Sequence, residues 1–380
     1  MRWSEAFVAL LLPLGTLAAA APALFSKCSQ VSFQISATAQ NTVWLSPPNP
    51  NDEASVLDFF YSGLANGTGP AVVGTKPVSG TFTLNGVYCR PWIENKFGAL
   101  QVLVHGISYN KTMWSGLGFG VQYDWHTFAN AQGYHTLAID RLGHGSNGQF
   151  PDPLEVVQGS LQVEIMHQLI NVVRTERRSP LGRTFNTVIY VSHSYGGWVG
   201  NGLVTRYPQD VDAMVLTGYS GAPNFSVFAD YQLRSASLLA PNRFPNVPLG
   251  YITFGQRAQR EAAFYAGRYD PAIPKMDFAF QDTWTIGETG NLDFTFTPPV
   301  DYTGALFITT GVQDHIFCQT PRSACEALLQ ATRGFYPSVS SFGYFAPENT
   351  GHDLTLHYSA PLTFAKVHAF LYKHLSNAKA

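Results

Sequence analysis

Charged residues are scarce in this chain of 380 residues: they make up 13% of it, with 23 Lys and Arg against 25 Asp and Glu. The formal net charge is −2, and the basic residues are not clustered along the sequence. Proteins that bind nucleic acids concentrate cations on one face, because each phosphate contact needs one. We therefore expect no nucleic-acid partner.

Sequence signatures of bound metals and dinucleotides are also missing. The chain has no H-E-x-x-H pattern, and its cysteines are not spaced as zinc ligands are. No glycine-rich dinucleotide fingerprint follows a predicted strand. We therefore expect neither a metal nor an organic cofactor.

The only long apolar run lies near the start of the chain. Arg2 precedes an apolar run over residues 6–20, which Pro13 and Gly15 interrupt and which ends in three alanines. The run is too short to span a bilayer comfortably. A basic start, an apolar stretch and an A-x-A cleavage site are typical of a signal peptide. We predict a signal peptide over residues 1–20, a secreted protein and no stable membrane anchor.

The cysteine content agrees with a secretory route. The sequence has four cysteines, an even number, and four cysteines allow three pairings. We favour Cys28 with Cys89, which ties the amino-terminal arm to the sheet, and Cys318 with Cys325, which closes a short loop. Buried free thiols are the alternative.

Three sequons for N-glycosylation begin at Asn66, Asn110 and Asn224. They have meaning only in a chain that enters the secretory route. We predict them as glycosylation sites of a secreted protein.

From residue 99 onward, buried strands alternate with helices. Short apolar runs predict strands over residues 99–104, 135–139, 187–191, 213–217 and 305–310. Longer patterned segments predict helices over residues 123–132, 155–174, 198–207, 321–332 and 360–375. Strands that are spaced by helices indicate a mostly parallel sheet covered on both faces, the α/β class.

The part before residue 99 predicts an antiparallel start to this sheet. Residues 31–37 alternate apolar and polar side chains, which suits an edge strand. Asn85-Gly86 separates two further runs, at 80–84 and 87–89, and an Asn-Gly pair in this setting favours a hairpin turn.

Residues 222–302 interrupt the alternation. They show no clear strand and are rich in aromatic residues, which make up 14% of the whole chain. A loop of this length without structure is uncommon. We predict an inserted helical cap over 222–302 with an aromatic underside, and a core domain formed by 21–221 and 303–380.

The strongest catalytic signal is the pentapeptide S-H-S-Y-G, centred on Ser194. It follows the predicted strand 187–191 and opens a helix, as a nucleophile elbow does, although Ser192 replaces the first glycine of the usual G-x-S-x-G form. In such a turn the Ser194 hydroxyl is exposed at the end of the sheet, and the N–H of Tyr195 is free to bind an oxyanion. An ordinary strand–turn–helix corner is the alternative.

Three further stretches supply what an elbow needs. After strand 99–104, Gly106 allows a turn that would present the Ile107 N–H as a second oxyanion donor, while His105 is expected to be structural. After strand 305–310, Asp314 is placed to orient a base, with an ordinary loop aspartate as the alternative. His352 follows a glycine in a late loop and is the favoured base, with His357 as its closest rival. We therefore predict a triad of Ser194, Asp314 and His352.

The order Ser, Asp, His along the chain resembles that of the α/β-hydrolase superfamily. The chain is similar to its secreted, fungal-type serine hydrolases from about residue 80 to the carboxyl end. The matching residues are Leu103-Val104-His105-Gly106, residues 133–146, Ser192-His193-Ser194-Tyr195-Gly196-Gly197, Asp314 and Gly351-His352. The resemblance implies the α/β-hydrolase fold and a structural role for Asp140.

These features favour hydrolysis of a carboxylic ester or lactone through an acyl-serine intermediate. An aromatic cap suggests a small-molecule or lipid-like ester with an apolar group. Acyl transfer or tailoring of a secondary metabolite would use the same triad with a different pocket. A prolyl-type peptidase is a further alternative, but nothing in the sequence would bind the amino terminus of a peptide. A binding protein that has lost catalysis is the third class.

Overall fold

A large mixed sheet forms the centre of the computed structural model, which describes residues 26–65, 70–290, 292, 296–318 and 321–377. The predicted signal peptide and the Asn66 sequon lie outside the described residues. The strands are β1 Ser26–Trp44, β2 Val72–Pro91, β3 Leu100–Val104, β4 His135–Ile139, β5 Val188–His193, β6 Ala213–Thr217, β7 Leu233–Ser235, β8 Tyr251–Phe254, β9 Trp284–Thr285, β10 Ala305–Thr309 and β11 Ser341–Phe345.

The central sheet has eight strands in the order β1-β2-β4-β3-β5-β6-β10-β11. β2 runs antiparallel to β1 and to β4, and the pairs from β4 to β11 are parallel. β3, β4, β5, β6 and β10 are buried along their whole length. This is why they read in the sequence as continuous apolar runs rather than alternating ones.

Helices flank this sheet and also lie in the segment at 222–302. They are α1 Glu53–Ala65, α2 Trp125–Ala131, α3 Gly159–Thr175, α4 Tyr195–Arg206, α5 Ala236–Leu239, α6 Arg257–Phe264, α7 Ile273–Phe280, α8 Ile286–Gly290, α9 Arg322–Ala331 and α10 Ala360–Asn377. The five predicted helices after residue 99 agree with α2, α3, α4, α9 and α10 to within four residues at each end. The prediction missed β11, whose five residues are only half-buried.

The predicted hairpin turn at Asn85-Gly86 is wrong. β2 continues straight through both residues, and its neighbours are β1 on one side and β4 on the other. Gly86 is needed for close approach instead: a Cβ there would lie 2.7 Å from the carbonyl oxygen of Ala138 on β4. An Asn-Gly pair permits a turn, but pairing with the 19-residue strand β1, and with β4 from Gly86 onward, holds this one extended.

The segment at 222–302, the predicted cap and called the cap below, contains helices α5 to α8 and also strands that were not predicted. β7, β8 and β9 form a small antiparallel sheet of their own. These strands have only two to four residues each. Runs that short show too little periodicity to be recognised in a sequence.

Helix α1 packs against the cap although it lies far earlier in the chain. The Tyr61 hydroxyl donates to the carbonyl oxygen of Tyr231. The ring of Phe60 lies 6.1 Å from that of Trp284. A salt bridge of 3.0 Å joins Arg234 to Glu53. The amino-terminal part of the chain therefore contributes to the cap side of the molecule.

The four cysteines lie in the two predicted pairs, Cys28 with Cys89 and Cys318 with Cys325, each at disulfide distance. Cys28 and Cys89 are directly opposite each other on β1 and β2. Among the described residues, no helix is both long and apolar enough to cross a membrane.

Candidate active site

Ser194 occupies the sharp turn between β5 and α4, with φ 52° and ψ −120°. A non-glycine residue with positive φ is strained, and such residues persist where the surrounding structure holds them. Here the Ser194 N–H donates to the Thr217 carbonyl oxygen at 2.9 Å, and its own carbonyl accepts from the Gly197 N–H at 2.7 Å. The strained turn that an elbow requires is therefore present at the predicted nucleophile.

Small residues on both sides of Ser194 make this turn possible. A Cβ at Gly196 would lie 2.6 Å from the carbonyl oxygen of Val104, so α4 begins directly against the end of β3. Ser192, the departure from the usual elbow, is fully buried in β5 between Val104 and Leu216 of the neighbouring strands. Its compact side chain is accommodated there without opening the sheet.

His352 and Asp314 are in direct contact. The Nδ1 atom of His352 lies 2.8 Å from Oδ2 of Asp314, and both side chains are buried. The Asp314 carboxylate also accepts from the Thr310 hydroxyl and from two backbone N–H groups, those of Ile316 at 2.8 Å and Phe317 at 3.1 Å. These bonds orient the carboxylate toward the imidazole.

The environment also shifts the titration of both groups. Burial raises the pKa of Asp314, but the charge and hydrogen bond of His352 outweigh burial and hold that pKa below its ordinary value. For His352, burial lowers the pKa, yet the Asp314 carboxylate more than compensates, so the pKa lies above 6.5. The pair therefore stabilises a protonated imidazole, as a general base requires after it has taken a proton.

Ser194 and His352 both lie near Gly218. The Thr217 carbonyl oxygen binds the Ser194 N–H, and a Cβ on the next residue, Gly218, would lie 3.0 Å from Cε1 of His352. Gly218 has φ 56° and leaves space for two rings, since the same Cβ would lie 2.6 Å from Cε1 of His193. The structure thus brings all three predicted triad residues to the carboxyl ends of β5, β6 and β10, where ligands bind in open α/β sheets.

The predicted oxyanion loop, residues 105–108 after β3, lies against the nucleophile elbow. A Cβ on Gly106 would stand 3.0 Å from Cβ of Ser194, so a side chain there would press on the predicted nucleophile. Ile107 is buried, and the N–H of the next residue, Ser108, donates to the Thr283 carbonyl oxygen of the cap at 3.1 Å. Tyr195 is the first residue of α4, where backbone N–H groups have no partner within the helix.

His105 is held as a structural residue would be. Its Nδ1 atom lies 2.8 Å from the Gly106 carbonyl oxygen, and its Nε2 atom accepts from the Arg141 N–H at 3.0 Å.

His357, the rival candidate for the base, is also bound to backbone groups. Its Nε2 atom accepts from the Gly351 N–H at 3.0 Å, and its Nδ1 atom lies 2.8 Å from the Asp353 carbonyl oxygen. Asp140 forms a buried ion pair with Lys111.

Two aromatic rings border the imidazole of His352. Phe317 stacks on it with ring centroids 5.7 Å apart and planes at 14°. Phe264, from cap helix α6, lies 5.5 Å away. The surroundings of the predicted base are therefore apolar on two sides, and one of these sides comes from the cap.

A buried ion pair beneath the elbow was not predicted. Arg141 pairs with Glu288 of cap helix α8, and its Nε atom donates to the His105 carbonyl oxygen at 3.0 Å. The guanidinium also lies 4.8 Å from the ring centre of Tyr195, whose hydroxyl donates to the Glu288 carbonyl oxygen at 3.1 Å. The cap, the oxyanion loop and the start of α4 therefore meet at one ion pair.

A second histidine–carboxylate pair lies beside the first. Nε2 of His193 is 2.9 Å from Oδ1 of Asp353, and the rings of His193 and His352 are 4.7 Å apart. Both residues adjoin predicted triad members in the sequence, which is the only signal that points to them. Ligand atoms of His193, His352 and Asp353 lie within 4.8 Å of one another, but His352 and His193 already face carboxylates.

The two described sequons differ in their setting. Asn224 is exposed, and its side-chain oxygen accepts from Ser226. Asn110 is half-buried, and its amide donates to Asp282 at 2.9 Å. Glycosylation at either site remains a prediction.

Comparison with known proteins agrees with this fold. The model of the alpha/beta hydrolase family matches residues 101–367. An uncharacterised protein of Mycobacterium tuberculosis is 29% identical over 124 residues, which are 33% of this chain and 30% of that protein. The matched segment is therefore less than a third of that relative's length.

Solved structures show the same architecture at low identity. A thermophilic esterase from Thermogutta terrifontis, with malate bound, has a TM-score of 0.50 and 14% identity, with 78% of this chain and 95% of that chain covered. A second Mycobacterium tuberculosis protein has a TM-score of 0.50 and 13% identity at the same coverage. At such identities the likeness shows the fold. Sheet order, elbow and family match together establish that this chain belongs to the alpha/beta hydrolase family.

Proposed function

We propose that this protein is a secreted serine hydrolase that cleaves a carboxylic ester or lactone with an apolar group. The observation that carries the proposal is the strained Ser194 at the β5–α4 turn, together with the 2.8 Å contact between His352 and Asp314 at the same edge of the sheet. Serine is a weak nucleophile at neutral pH and needs an adjacent base that is itself oriented by a third group. Esterases among proteins of the same fold are consistent with this chemistry.

In the proposed reaction, Ser194 Oγ attacks the ester carbonyl carbon while its proton passes to His352. The carbonyl oxygen becomes an oxyanion, bound by the N–H groups of Tyr195 and Ile107. When this intermediate collapses, the carbon–oxygen bond to the alcohol breaks and His352 returns the proton to the leaving oxygen. A water molecule then repeats the sequence on the acyl-Ser194 ester and releases the acid.

The expectation of an apolar substrate rests on the rings around His352. Phe317 and Phe264 border the imidazole, and neither offers a hydrogen bond to a polar group. Two of the cap arginines are already engaged: Arg234 pairs with Glu53, and Arg243 donates to the carbonyl oxygens of Ala279 and Phe280. These contacts favour an ester with an apolar acyl or alcohol part over a charged one.

Labelling with a fluorophosphonate probe, with Ser194→Ala as control, tests the proposal directly. We expect labelling that is lost in the variant, together with turnover of p-nitrophenyl esters whose rate depends on acyl chain length. Labelling without turnover of any ester or lactone would favour acyl transfer or metabolite tailoring, because those reactions use the same serine with another acceptor. Absence of labelling in the folded protein would support a binding protein instead.

Secretion is tested separately. We expect a mature chain that begins after residue 20 and contains no free thiol when it is recovered from culture medium. Mass spectrometry that finds four free thiols would contradict the secretory part of the proposal without affecting the catalytic part.

A further inference from the structure

Arg260 is a buried cation of the cap whose hydrogen bonds reach into the predicted active site. It lies on α6 and is 1% exposed. Its Nε and Nη2 atoms donate to the two carboxylate oxygens of Asp277 on α7, each at 2.8 Å. A buried guanidinium needs such a bidentate partner, because isolated burial of its charge is costly. Asp277 therefore accounts for the charge of Arg260 but for only part of its donors.

The remaining donors of Arg260 reach the oxyanion loop. Nη1 donates to the Ser108 hydroxyl at 2.6 Å, and Nη2 donates to the Ser108 carbonyl oxygen at 3.3 Å. Ser108 has φ 54°, an uncommon conformation for serine, one residue after the predicted donor Ile107. The guanidinium thus holds the residue at which the oxyanion loop turns.

Asp277, the acidic partner of Arg260, is connected through Tyr109 to the neighbour of the predicted base. The Tyr109 hydroxyl lies 3.0 Å from the Asp277 carboxylate and also contacts the carboxylate of Asp353. Asp353 follows His352 in the chain, and its second oxygen faces His193, which precedes Ser194. A continuous path of buried polar contacts therefore runs from Arg260 to the residues next to both the predicted base and the predicted nucleophile.

We propose that Arg260 is a positioning residue of this active site. Through Ser108 it fixes the oxyanion loop, and through Asp277 and Tyr109 it holds the Asp353–His193 pair that flanks His352 and Ser194. The inference rests on the proposed hydrolase function, and it assigns to the cap a part in catalysis besides lining the pocket. Correct placement of donors and base matters because a displacement of about 1 Å can lower a rate by about a hundredfold.

Arg260→Met removes both contacts to Ser108 and leaves Asp277 unpaired, so it will also destabilise the fold. The double variant Arg260→Met with Asp277→Leu removes the whole ion pair, which often restores stability lost in the single variant. Arg234→Met is the control, since Arg234 is a cap arginine whose ion pair, with Glu53, lies outside this path.

We expect kcat for a p-nitrophenyl ester to fall by about ten- to a hundredfold in Arg260→Met, with KM changed by less than about threefold. The fall should persist in the double variant even where its melting temperature matches the wild type. Arg260→Lys should recover part of kcat, because one ammonium can reach Asp277 or Ser108 but not both. Arg234→Met should keep the wild-type kcat.

A double variant that regains both stability and kcat would overturn the proposal, since Arg260 would then matter only to folding. If Arg260→Met does not fold, Tyr109→Phe tests the same path by removing a single hydroxyl, and an unchanged kcat would count against the proposal.

Nuclear magnetic resonance spectra of ¹⁵N-histidine-labelled protein give a readout that needs no substrate. Arg260→Met or Tyr109→Phe should shift the ring signals of His193 and His352, even if the wild type cleaves no ester and the proposed function fails. Unshifted signals in those variants would refute the path.

Discussion

His352 faces Asp314 across 2.8 Å, while the carboxylate of its own chain neighbour, Asp353, turns to His193 at 2.9 Å. Two carboxylates, those of Asp314 and Asp353, therefore lie near the loop that carries His352, and each is paired with a different histidine. Asp314 comes from the loop after β10, where it accepts from backbone N–H groups that hold it in place. This division gives the two acids different expected roles.

Asp314→Asn should lower kcat by on the order of 10³- to 10⁴-fold, because an amide in place of the carboxylate no longer stabilises the imidazolium. Asp353→Asn should have a smaller effect, since it leaves the 2.8 Å contact between His352 and Asp314 intact. Steady-state kinetics with a p-nitrophenyl ester compares the two. Normal activity in Asp314→Asn with a loss in Asp353→Asn would reverse the assignment of the acid.

The pH dependence of kcat/KM should report the raised pKa of His352. Burial lowers this pKa, but Asp314 outweighs burial and holds it above 6.5. The base must be neutral to accept a proton, so activity should be low in acid and rise through a midpoint above 6.5. Asp314→Asn should move the midpoint of its residual activity downward, whereas Glu155→Gln, on the surface, should not. A wild-type midpoint well below 6.5 would contradict this account.

Gly106→Ala should impair catalysis more than folding. The new methyl group would lie 3.0 Å from Cβ of Ser194 and 3.2 Å from the His193 carbonyl oxygen, so loop and elbow would have to move apart by a few tenths of an ångström. We expect kcat to fall roughly tenfold or more. Gly334→Ala is the control, because a Cβ there meets no atom within 4 Å. Equal kcat in both variants would place the oxyanion site elsewhere.

Glu288→Gln should destabilise the protein by about 3 kcal/mol at neutral pH, because it leaves the buried Arg141 without its charge partner. Burial raises the pKa of Glu288, but Arg141 and His144 outweigh it and hold that pKa well below 4.5. A carboxylate with a lowered pKa contributes stability above its ordinary pKa and loses it as the pH falls, so the difference from wild type should shrink in acid.

Urea denaturation at several pH values measures this difference. Glu155→Gln removes one partner of an exposed pair with Lys76 and should change the free energy of unfolding by less than about 1 kcal/mol. If Glu288→Gln behaves like Glu155→Gln, the ion pair does not anchor the cap.

Much of the fold could be read from local patterns. The strands at 135–139 and 213–217 were predicted with the bounds that the structure shows, because buried parallel strands are continuous apolar runs between helices. The prediction of a turn at Asn85-Gly86 was wrong because the pairing of β2, a strand of 20 residues, outweighs the local preference of an Asn-Gly pair for a turn. The short strands β7 to β9 were missed since two to four residues carry no period.

The sequence by itself determined which residues of this chain are candidates for chemistry: a serine after a strand, an acid after a later strand and a histidine after a glycine, in that order. These signals are local, so a sequence can carry them. Only the tertiary structure decided which acid faces which histidine, and that Arg260, Asp277 and Glu288 of the cap reach the same site. Several of these contacts join positions more than a hundred residues apart, as between Ser108 and Arg260 or His193 and Asp353, and folding alone brings them together.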